Sequence, residues 1–201
     1  MDLNTREQKK REKFQSLVRA AYDLFLEQGF AKTSIDEIVN RANVAKGTFY
    51  LYFKDKGDVM QNVSFILCCK VLEDGCTKTA DQRTGDFVED YILVMDYLLD
   101  YLANNKLVLQ LIGKNFSWPD SPDSMREEDM PNLYKYLKES SERDVFAHRT
   151  EKETYILLFT LTQLCTSLCH SSVLHGQPTP LDELKPFLFN MIRQLLGQHI
   201  E

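Results

Sequence analysis

The sequence predicts an all-α protein of about nine helices, with an N-terminal three-helix domain and a larger helical C-terminal domain. Turn-forming residues are scarce, since 8 Gly and 6 Pro among 201 residues make about 7% of the chain, against roughly 12% on average. Apolar residues recur three and four positions apart, and neither a strand pattern nor an internal repeat emerges. The hydrophobic share of 43% and the charged share of 27% are typical of a soluble globular protein.

The first 55 residues predict three helices in the arrangement of a helix-turn-helix domain. Apolar spacing predicts a first helix from Thr5 or Gln8 to Gln28, which Gly29 ends as a left-handed cap. A second helix follows Ser34, whose hydroxyl forms a capping box with Glu37. A third short helix is expected over residues 45–52, after a tight turn. A long helix that braces two short ones is the plan of a tri-helical DNA-binding domain.

The outward side of the third helix carries the residue types that read DNA. Lys46, Gly47 and Tyr50 share one face, and Thr48 stands near the helix start. Because glycine has no side chain, the backbone there can approach DNA closely. The lysine cation, the threonine hydroxyl and the tyrosine ring edge can contact phosphates and base edges. A solvated helix with a stray lysine and a surface tyrosine is the alternative reading of the same pattern.

Two segments of this region together resemble the DNA-binding signature of the tetracycline-repressor (TetR/AcrR) family. They read QGFAKTSIDEIV at residues 28–39 and ANVAKGTFYLYFKDK at residues 42–56. The likeness runs ungapped over almost thirty positions and covers about the first quarter of the chain. It implies a homodimer that binds a palindromic operator, usually as a repressor, and is released by a small molecule.

The resemblance also implies where DNA is contacted. Phosphate contacts fall at the start of the second helix, recognition contacts on the third, and a phosphate-binding lysine, with Asp55 as N-cap, at the start of the fourth. The implied residues are Thr33, Ser34, Lys46, Gly47, Thr48, Tyr50, Tyr52 and Lys56. Leu51 departs from the pattern, because many relatives have a polar or aromatic residue there, and its role stays open.

Residues 56–201 predict the remaining helices, and the resemblance makes this part the ligand-binding and dimerisation domain. The expected helices are 56–78, 87–102, 106–115, one opened by Pro131, one from the capping box at Thr150 to 174, and 181–196. We expect the helix over 56–78 to transmit ligand binding, because it would touch both domains. In that mechanism the ligand favours a dimer geometry in which the two recognition helices are differently spaced.

The last two helices predict the dimer interface. Apolar residues cover more than one stripe of each helix, and such helices must be buried on more than one side. An isologous four-helix interface with a second copy accounts for this, and a broad intramolecular core is the alternative. The expected interface residues are Ile156, Thr160, Leu164, Leu168, Leu188, Met191, Ile192 and Leu195.

A cavity lined by aromatic and sulfur-containing side chains is the expected effector site. Its candidate residues are Phe65, Cys69, Phe87, Tyr91, Met95, Phe116, Trp118, Tyr134, Tyr155 and Phe159. Ordinary core packing explains the same residues equally well. Asp90, Asp96 and Asp100 lie in an apolar helix, where an inward acid would suit a cationic ligand, although such acids usually face water.

No catalytic, cofactor or metal site is predicted. Cys165, Cys169 and His170 share a helix segment, yet a third or fourth ligand at zinc spacing is missing, so core packing is favoured. A phosphate-binding glycine loop and a nucleophile elbow are also missing. The odd count of 5 cysteines and a polar, basic start without a signal-peptide core predict a cytoplasmic protein.

Charged residues are distributed unevenly along the chain. Their distribution favours DNA contacts in the N-terminal segment alone. Residues 1–57 hold 11 Lys and Arg against 8 Asp and Glu, a net +3, whereas the rest holds 13 against 22, a net −9. An acidic body repels phosphates. The alternatives from other functional classes are a protein-interaction module of the same family, such as a co-activator or a DNA-bound cell-division factor, and a helical carrier or enzyme.

Overall fold

The computed structural model describes residues 3–115, 131–141, 146 and 149–197, and the regular secondary structure of this part is helical. Its nine α-helices follow the predicted order. They are α1 (Leu3–Gln28), α2 (Ile35–Arg41), α3 (Lys46–Phe49), α4 (Lys56–Lys78), α5 (Phe87–Asn104), α6 (Lys106–Asn115), α7 (Pro131–Ser141), α8 (Glu151–His175) and α9 (Leu181–Gly197). A 3-10 turn, Ala80–Gln82, follows α4. The predicted all-α fold is confirmed.

Local capping explains why several helix ends were predictable. Gly29 adopts a φ of 84° and its amide donates to the Phe25 carbonyl, which closes α1. Capping boxes at Ser34 and Thr150 open α2 and α8. The Asp55 carboxylate accepts from the Asp58 amide at 2.9 Å, as expected of the N-cap of α4. These ends depend only on neighbouring residues.

The third helix is shorter than predicted. It ends at Phe49, and the amides of Leu51 and Tyr52 bond the carbonyls three residues earlier, Thr48 and Phe49, at 3.2 and 3.0 Å. Hydrogen bonds over three residues are of the 3-10 type. They satisfy the free backbone groups at the end of a helix without continuing the α-helix. The Phe53 amide still reaches the Phe49 carbonyl at 2.9 Å, so the chain keeps a helical course to Phe53.

The chain divides into two compact units whose boundary falls between Phe65 and Ile66, inside α4. The N-terminal unit contains α1, α2, α3 and the first part of α4, with α2 packed against both α1 and α3. Its core is formed by apolar side chains from all four helices. They include Leu17, Ala21, Leu24, Phe25, Ile38, Val39, Phe49, Phe53, Val59 and Val63.

The C-terminal unit is built around α8, which packs against α5, α6, α7 and α9. By length and composition alone, residues Lys152–His175 could also cross a membrane. The central helix of a helical bundle has the same two properties. Leu158, Leu161, Cys165 and Cys169 of this helix are buried inside the unit, which accounts for its apolar character.

Ion pairs fasten α9 to α5. The Lys185 ammonium lies 2.6 Å from both the Asp96 and the Asp100 carboxylates. Burial works against the charge of Lys185, but the two carboxylates outweigh it and its pKa is raised. At the other end of α9, the Arg193 guanidinium binds both oxygens of Glu89 at 2.6 and 2.7 Å. Paired contacts of this kind fix the rotation of α9 about its axis.

A close approach between α6 and α8 depends on Gly113. A methyl group placed on Gly113 would lie 2.3 Å from a ring carbon of His170 and 2.7 Å from its Cβ. The two backbones can therefore approach this closely only because position 113 has no side chain.

We expect Gly113→Ala to lower the free energy of unfolding by about 1–2 kcal/mol, although alanine favours helices, because overpacking costs more than the propensity gains. Thermal unfolding followed by circular dichroism measures this. Gly47→Ala is the control, since its added methyl group would meet nothing within 4 Å and should leave stability unchanged or raised. Equal or higher stability of Gly113→Ala would contradict the close packing.

Candidate nucleic-acid interface

Two buried phenylalanines set the orientation of α3. Phe49 is fully buried and Phe53 nearly so, and their ring centroids lie 5.4 Å apart. Phe14 of α1 packs on Phe53 at 5.3 Å. A helix of four residues has little stability of its own. Its direction is therefore determined by the burial of these rings against the rest of the N-terminal unit.

The opposite side of α3 faces solvent. At about 100° per residue, a position two residues from Phe49 lies on the far side of the helix. Gly47 and Leu51 occupy these outermost positions, and Leu51 is 78% exposed. Lys46 and Tyr50 flank them on one side, both exposed, and the half-buried Thr48 lies on the other. The predicted recognition residues Lys46, Gly47, Thr48 and Tyr50 thus sit together around one protruding turn.

Lys46 is held by a carboxylate of the preceding helix. Its ammonium lies 2.8 Å from Asp36 of α2, and both side chains are largely exposed. The hydrogen bond from Lys46 and the charge of Asp36 raise the pKa of Lys46, so it carries its charge at neutral pH. Because an exposed pair is weak, the lysine can exchange Asp36 for a phosphate or a base.

Thr33 is not available for DNA, which corrects its predicted role. Its side chain is only 2% exposed, and its hydroxyl donates to the Gly29 carbonyl at 2.9 Å. Ser34 is exposed, but its hydroxyl is occupied in the capping box, donating to Glu37 at 2.7 Å and accepting from the Glu37 amide at 3.2 Å. The bonds from Ser34 lower the pKa of Glu37, so the box is intact at neutral pH.

Lys56, which was predicted as a phosphate contact, binds the protein's own backbone in this structure, and its contact with DNA stays a prediction. Its ammonium donates to the carbonyls of Phe30 and Thr33 at 2.7 and 2.8 Å, with Ala31 at 3.5 Å. It also lies 4.3 Å from the centre of the Phe30 ring. A lysine has three donors, and these contacts engage them in joining the start of α4 to the turn between α1 and α2.

Tyr52 likewise has a structural role where a DNA contact was predicted. Its hydroxyl donates to the Lys10 carbonyl of α1 at 3.0 Å. Its ring centroid lies 6.1 Å from that of Phe14. Tyr52 therefore joins the turn after α3 to α1, as Lys56 joins the start of α4 to the turn between α1 and α2.

Comparison with known proteins finds a likeness in the same region. The sequence profile of the bacterial regulatory proteins of the tetR family matches residues 17–63, which include α2, α3 and the start of α4. This N-terminal part of the chain is similar to the DNA-binding region of that family. The region that carries the match is the same one whose outward face is described above.

Individual TetR-family proteins and regulators resemble parts or all of this chain. YvdT, an HTH-type transcriptional regulator of Bacillus subtilis strain 168, is 36% identical over 90 residues, which cover 44% of this chain and 42% of YvdT. The fatty acid metabolism regulator protein of the same organism is 38% identical over 108 residues, 54% of this chain and 46% of that protein. The chain spans about half the length of these curated relatives.

A solved TetR-family structure extends the likeness to the whole fold. The crystal structure of Thermus thermophilus FadR, a TetR family transcriptional repressor in complex with lauroyl-CoA, aligns with a TM-score of 0.57 and 23% identity. The alignment covers 94% of this chain and 95% of FadR. At this identity the likeness establishes the fold, including the helical C-terminal domain.

The residues predicted to line an effector cavity are distributed unevenly. Phe87, Tyr91, Met95 and Cys69 are buried in the C-terminal unit, and Tyr155 and Phe159 are half-buried there. The Tyr91 hydroxyl contacts Thr162 at 3.0 Å and donates to the Leu158 carbonyl at 3.1 Å. Tyr134 is 37% exposed on α7, and Phe65 belongs to the N-terminal unit. Phe116 and Trp118 lie outside the described residues.

The acidic residues of α5 are committed to the protein itself. Asp90 is buried, contrary to the expectation that it faces water, and accepts from the amides of Thr84 and Gly85 at 2.7 and 3.3 Å. Asp96 and Asp100 bind Lys185. A carboxylate held in this way stabilises a turn or a helix contact, so α5 does not present an acid for a cationic ligand.

The predicted dimer residues differ in exposure. Ile156, Thr160 and Leu164 are exposed along one line of α8, and Leu195 is exposed on α9. Leu168 and Met191 are half-buried. Leu188 and Ile192 are 1% and 2% exposed inside their own chain, so their side chains are not available to a partner and their assignment to the interface is corrected. Phe187, which precedes Leu188 and was not among the predicted residues, is 63% exposed.

The five cysteines are buried free thiols. Burial raises the pKa of Cys68, Cys76 and Cys165 to about 12 and that of Cys169 to about 11, and it also raises the pKa of Cys69. The thiolate is the reactive form, and at neutral pH these thiols stay protonated. In the part of the chain that the structure describes, no three His, Cys, Asp or Glu side chains cluster as a metal site.

We expect Lys56→Met to lower the free energy of unfolding by about 1–2 kcal/mol, because three carbonyls lose their cationic donor while the apolar stem is kept. Urea unfolding followed by circular dichroism measures the change. Lys32→Met is the control, since it removes an exposed lysine from the same turn and should leave stability unchanged. Unchanged stability of Lys56→Met would contradict a stabilising role of these hydrogen bonds.

Proposed function

We propose that this chain is a DNA-binding transcriptional regulator of the TetR family that acts as a repressor. It binds a palindromic operator as a homodimer, and a small-molecule effector releases it. The observation that carries the proposal is the protruding turn of α3, where Lys46, Gly47 and Tyr50 are exposed within the segment that matches the family. A cation, an exposed backbone and an aromatic edge at one turn suit the major groove.

Charge supports binding through the N-terminal segment alone. Residues 1–57 carry a net +3, and the remainder carries −9. A duplex attracts the first and repels the second, so electrostatic steering presents α3 to the groove. A regulator of bacterial operator DNA acts in the cytoplasm, so the proposed function implies this location, and the relatives support a regulator rather than an enzyme.

Exposed apolar stripes on α8 and α9 support the homodimer. Ile156 and Leu164 lie two turns apart on α8, and Phe187 and Leu195 lie two turns apart on α9, all of them more than a third exposed. Monomeric proteins rarely leave such aligned apolar surface in water. A twofold axis brings the same stripes of a second copy onto them. The dimer then spaces two recognition helices about 34–36 Å apart, one turn of DNA.

The C-terminal unit supports an apolar effector. Its buried aromatic side chains include Phe87, Tyr91, Tyr136 and Phe146, with Phe87 stacked on Tyr136 at 5.8 Å. The acids of α5 are occupied, which argues against a cationic ligand. Since the Thermus protein was solved with lauroyl-CoA, acyl-CoA thioesters are the first compounds to screen. An effector acts here by binding one dimer geometry more tightly than the other, with transmission along α4.

We expect the purified full chain to select a palindromic sequence from a random duplex library. Lys46→Ala should weaken binding of that sequence about tenfold and lower the salt slope by about one per half-site, because one cation per half-site no longer contacts the DNA. Filter binding or fluorescence anisotropy across a salt series measures both. Lys135→Ala removes an exposed lysine from the C-terminal unit and should leave the affinity unchanged. Failure to select any sequence would overturn the proposed function.

We expect the double variant Phe187→Glu, Leu195→Glu to be a monomer that binds the selected operator at least tenfold more weakly than the wild-type dimer. In a dimer its four introduced charges, two from each copy, would be crowded into a buried apolar surface. Light scattering during gel filtration gives the mass. Leu107→Glu, at an exposed leucine of α6, should stay dimeric. A stable dimer after the double substitution would show that α9 does not form the interface.

A further inference from the structure

We propose that Leu51 reads the 5-methyl group of a thymine in each operator half-site. The inference rests on the proposed DNA-binding function and deepens it, because it names the base feature that the protruding turn recognises. Leu51 was outside the set of DNA contacts expected from the sequence.

The geometry of the turn puts Leu51 at its outermost point. Leu51 stands two residues after Phe49 and two before Phe53, both of them buried. At about 100° per residue, it lies on the far side of the helix from each ring. The amide bond of Leu51 to the Thr48 carbonyl at 3.2 Å keeps the turn closed at this point. The Leu51 side chain, 78% exposed, is therefore available to a surface that α3 enters.

The neighbour of Leu51 on this face is Gly47, one turn earlier. Gly47 is exposed, and a methyl group placed on it would meet nothing within 4 Å. The turn therefore has a flat place beside a single projecting isobutyl group. This shape lets the backbone come down onto the edges of the base pairs while Leu51 reaches one base.

Packing inside the chain does not explain why position 51 is a leucine. At 78% exposure it is the most exposed large apolar side chain in the described part of the chain. Two exposed aromatic residues of the N-terminal unit do have intrachain contacts. Tyr50 packs edge-on against Phe49 at 5.4 Å, and the Phe30 ring lies under the Lys56 ammonium. Leu51 instead faces solvent. Lys46 and Lys54, which precede and follow it in the sequence, are exposed as well.

The chemistry of the major groove leaves one partner for such a side chain. Phosphates and base-edge donors and acceptors offer nothing to an aliphatic group, whereas the thymine methyl is the apolar feature that the groove presents. The flanking cations hold the phosphates on either side, which fixes the leucine over a base. The net charge of +3 on residues 1–57 favours a duplex over a partner protein at this turn.

The test uses the full chain and the duplex that it selects from a random library. Each thymine of the selected half-site is replaced in turn by deoxyuridine, which removes only the methyl group and keeps every hydrogen bond. We expect one thymine per half-site at which the replacement weakens wild-type binding about fourfold, the value for one buried methyl group. For Leu51→Ala the same replacement should have almost no effect, because the methyl group has lost its partner.

Two further measurements distinguish recognition of a thymine methyl group by Leu51 from an effect of Leu51 on phosphate contacts or on stability. The salt slope of Leu51→Ala should equal that of the wild type, since no phosphate contact is lost, and its thermal unfolding should be unchanged, since Leu51 buries little surface. Leu107→Ala, at the other strongly exposed leucine, should retain the full sensitivity to deoxyuridine.

The outcomes distinguish the inference from the function on which it rests. If the chain selects an operator but Leu51→Ala responds to every deoxyuridine replacement as the wild type does, the role of Leu51 is refuted and DNA binding stands. If Leu51→Ala binds as tightly as the wild type, the inference is refuted in the same way. If no duplex is selected, both proposals fail.

Discussion

The burial of Phe49 and Phe53 is the constraint on which the DNA-reading surface depends. The helix that carries them is a single turn, too short to persist without tertiary contacts. Its two rings pack into the N-terminal core and against Phe14, and this alone decides which residues face outward. Lys56 and Tyr52 then hold the flanking segments to the α1–α2 turn and to α1. Both side chains, which the resemblance assigned to DNA contact, therefore also hold the segments on either side of α3 in place.

Sequence analysis succeeded where structure is decided by neighbours in the chain. Capping residues such as Ser34, Thr150 and Gly29 act within four positions, and they located helix ends within one or two residues. It failed where a side chain bonds to a distant backbone. The partners of Lys56 lie 23–26 residues away, and no pattern of residue types distinguishes a lysine that meets carbonyls from one that meets phosphates.

The C-terminal helix shows a second limit. Two apolar stripes run along α9 at a spacing of four, one through Leu184, Leu188 and Ile192 and one through Phe187, Met191 and Leu195. The periodicity of the sequence reveals both stripes but does not indicate which of them is buried inside the chain. The choice is made by the pairs that Lys185 and Arg193 form with α5, which turn the first stripe inward. Rotation about a helix axis is a tertiary property, and the sequence expresses it only through charges on another helix.

The start of α7 depends on a carboxylate from another helix in the same unit. Glu73 of α4 accepts from the backbone amides of Asn132 and Leu133 at 3.1 and 2.6 Å, and from the Asn132 side chain at 2.6 Å. Sliding α4 by one residue along its axis would move Glu73 about 1.5 Å and turn it through about 100°. Those amides would then lose their acceptor, so α7 keeps its place only at one register of α4.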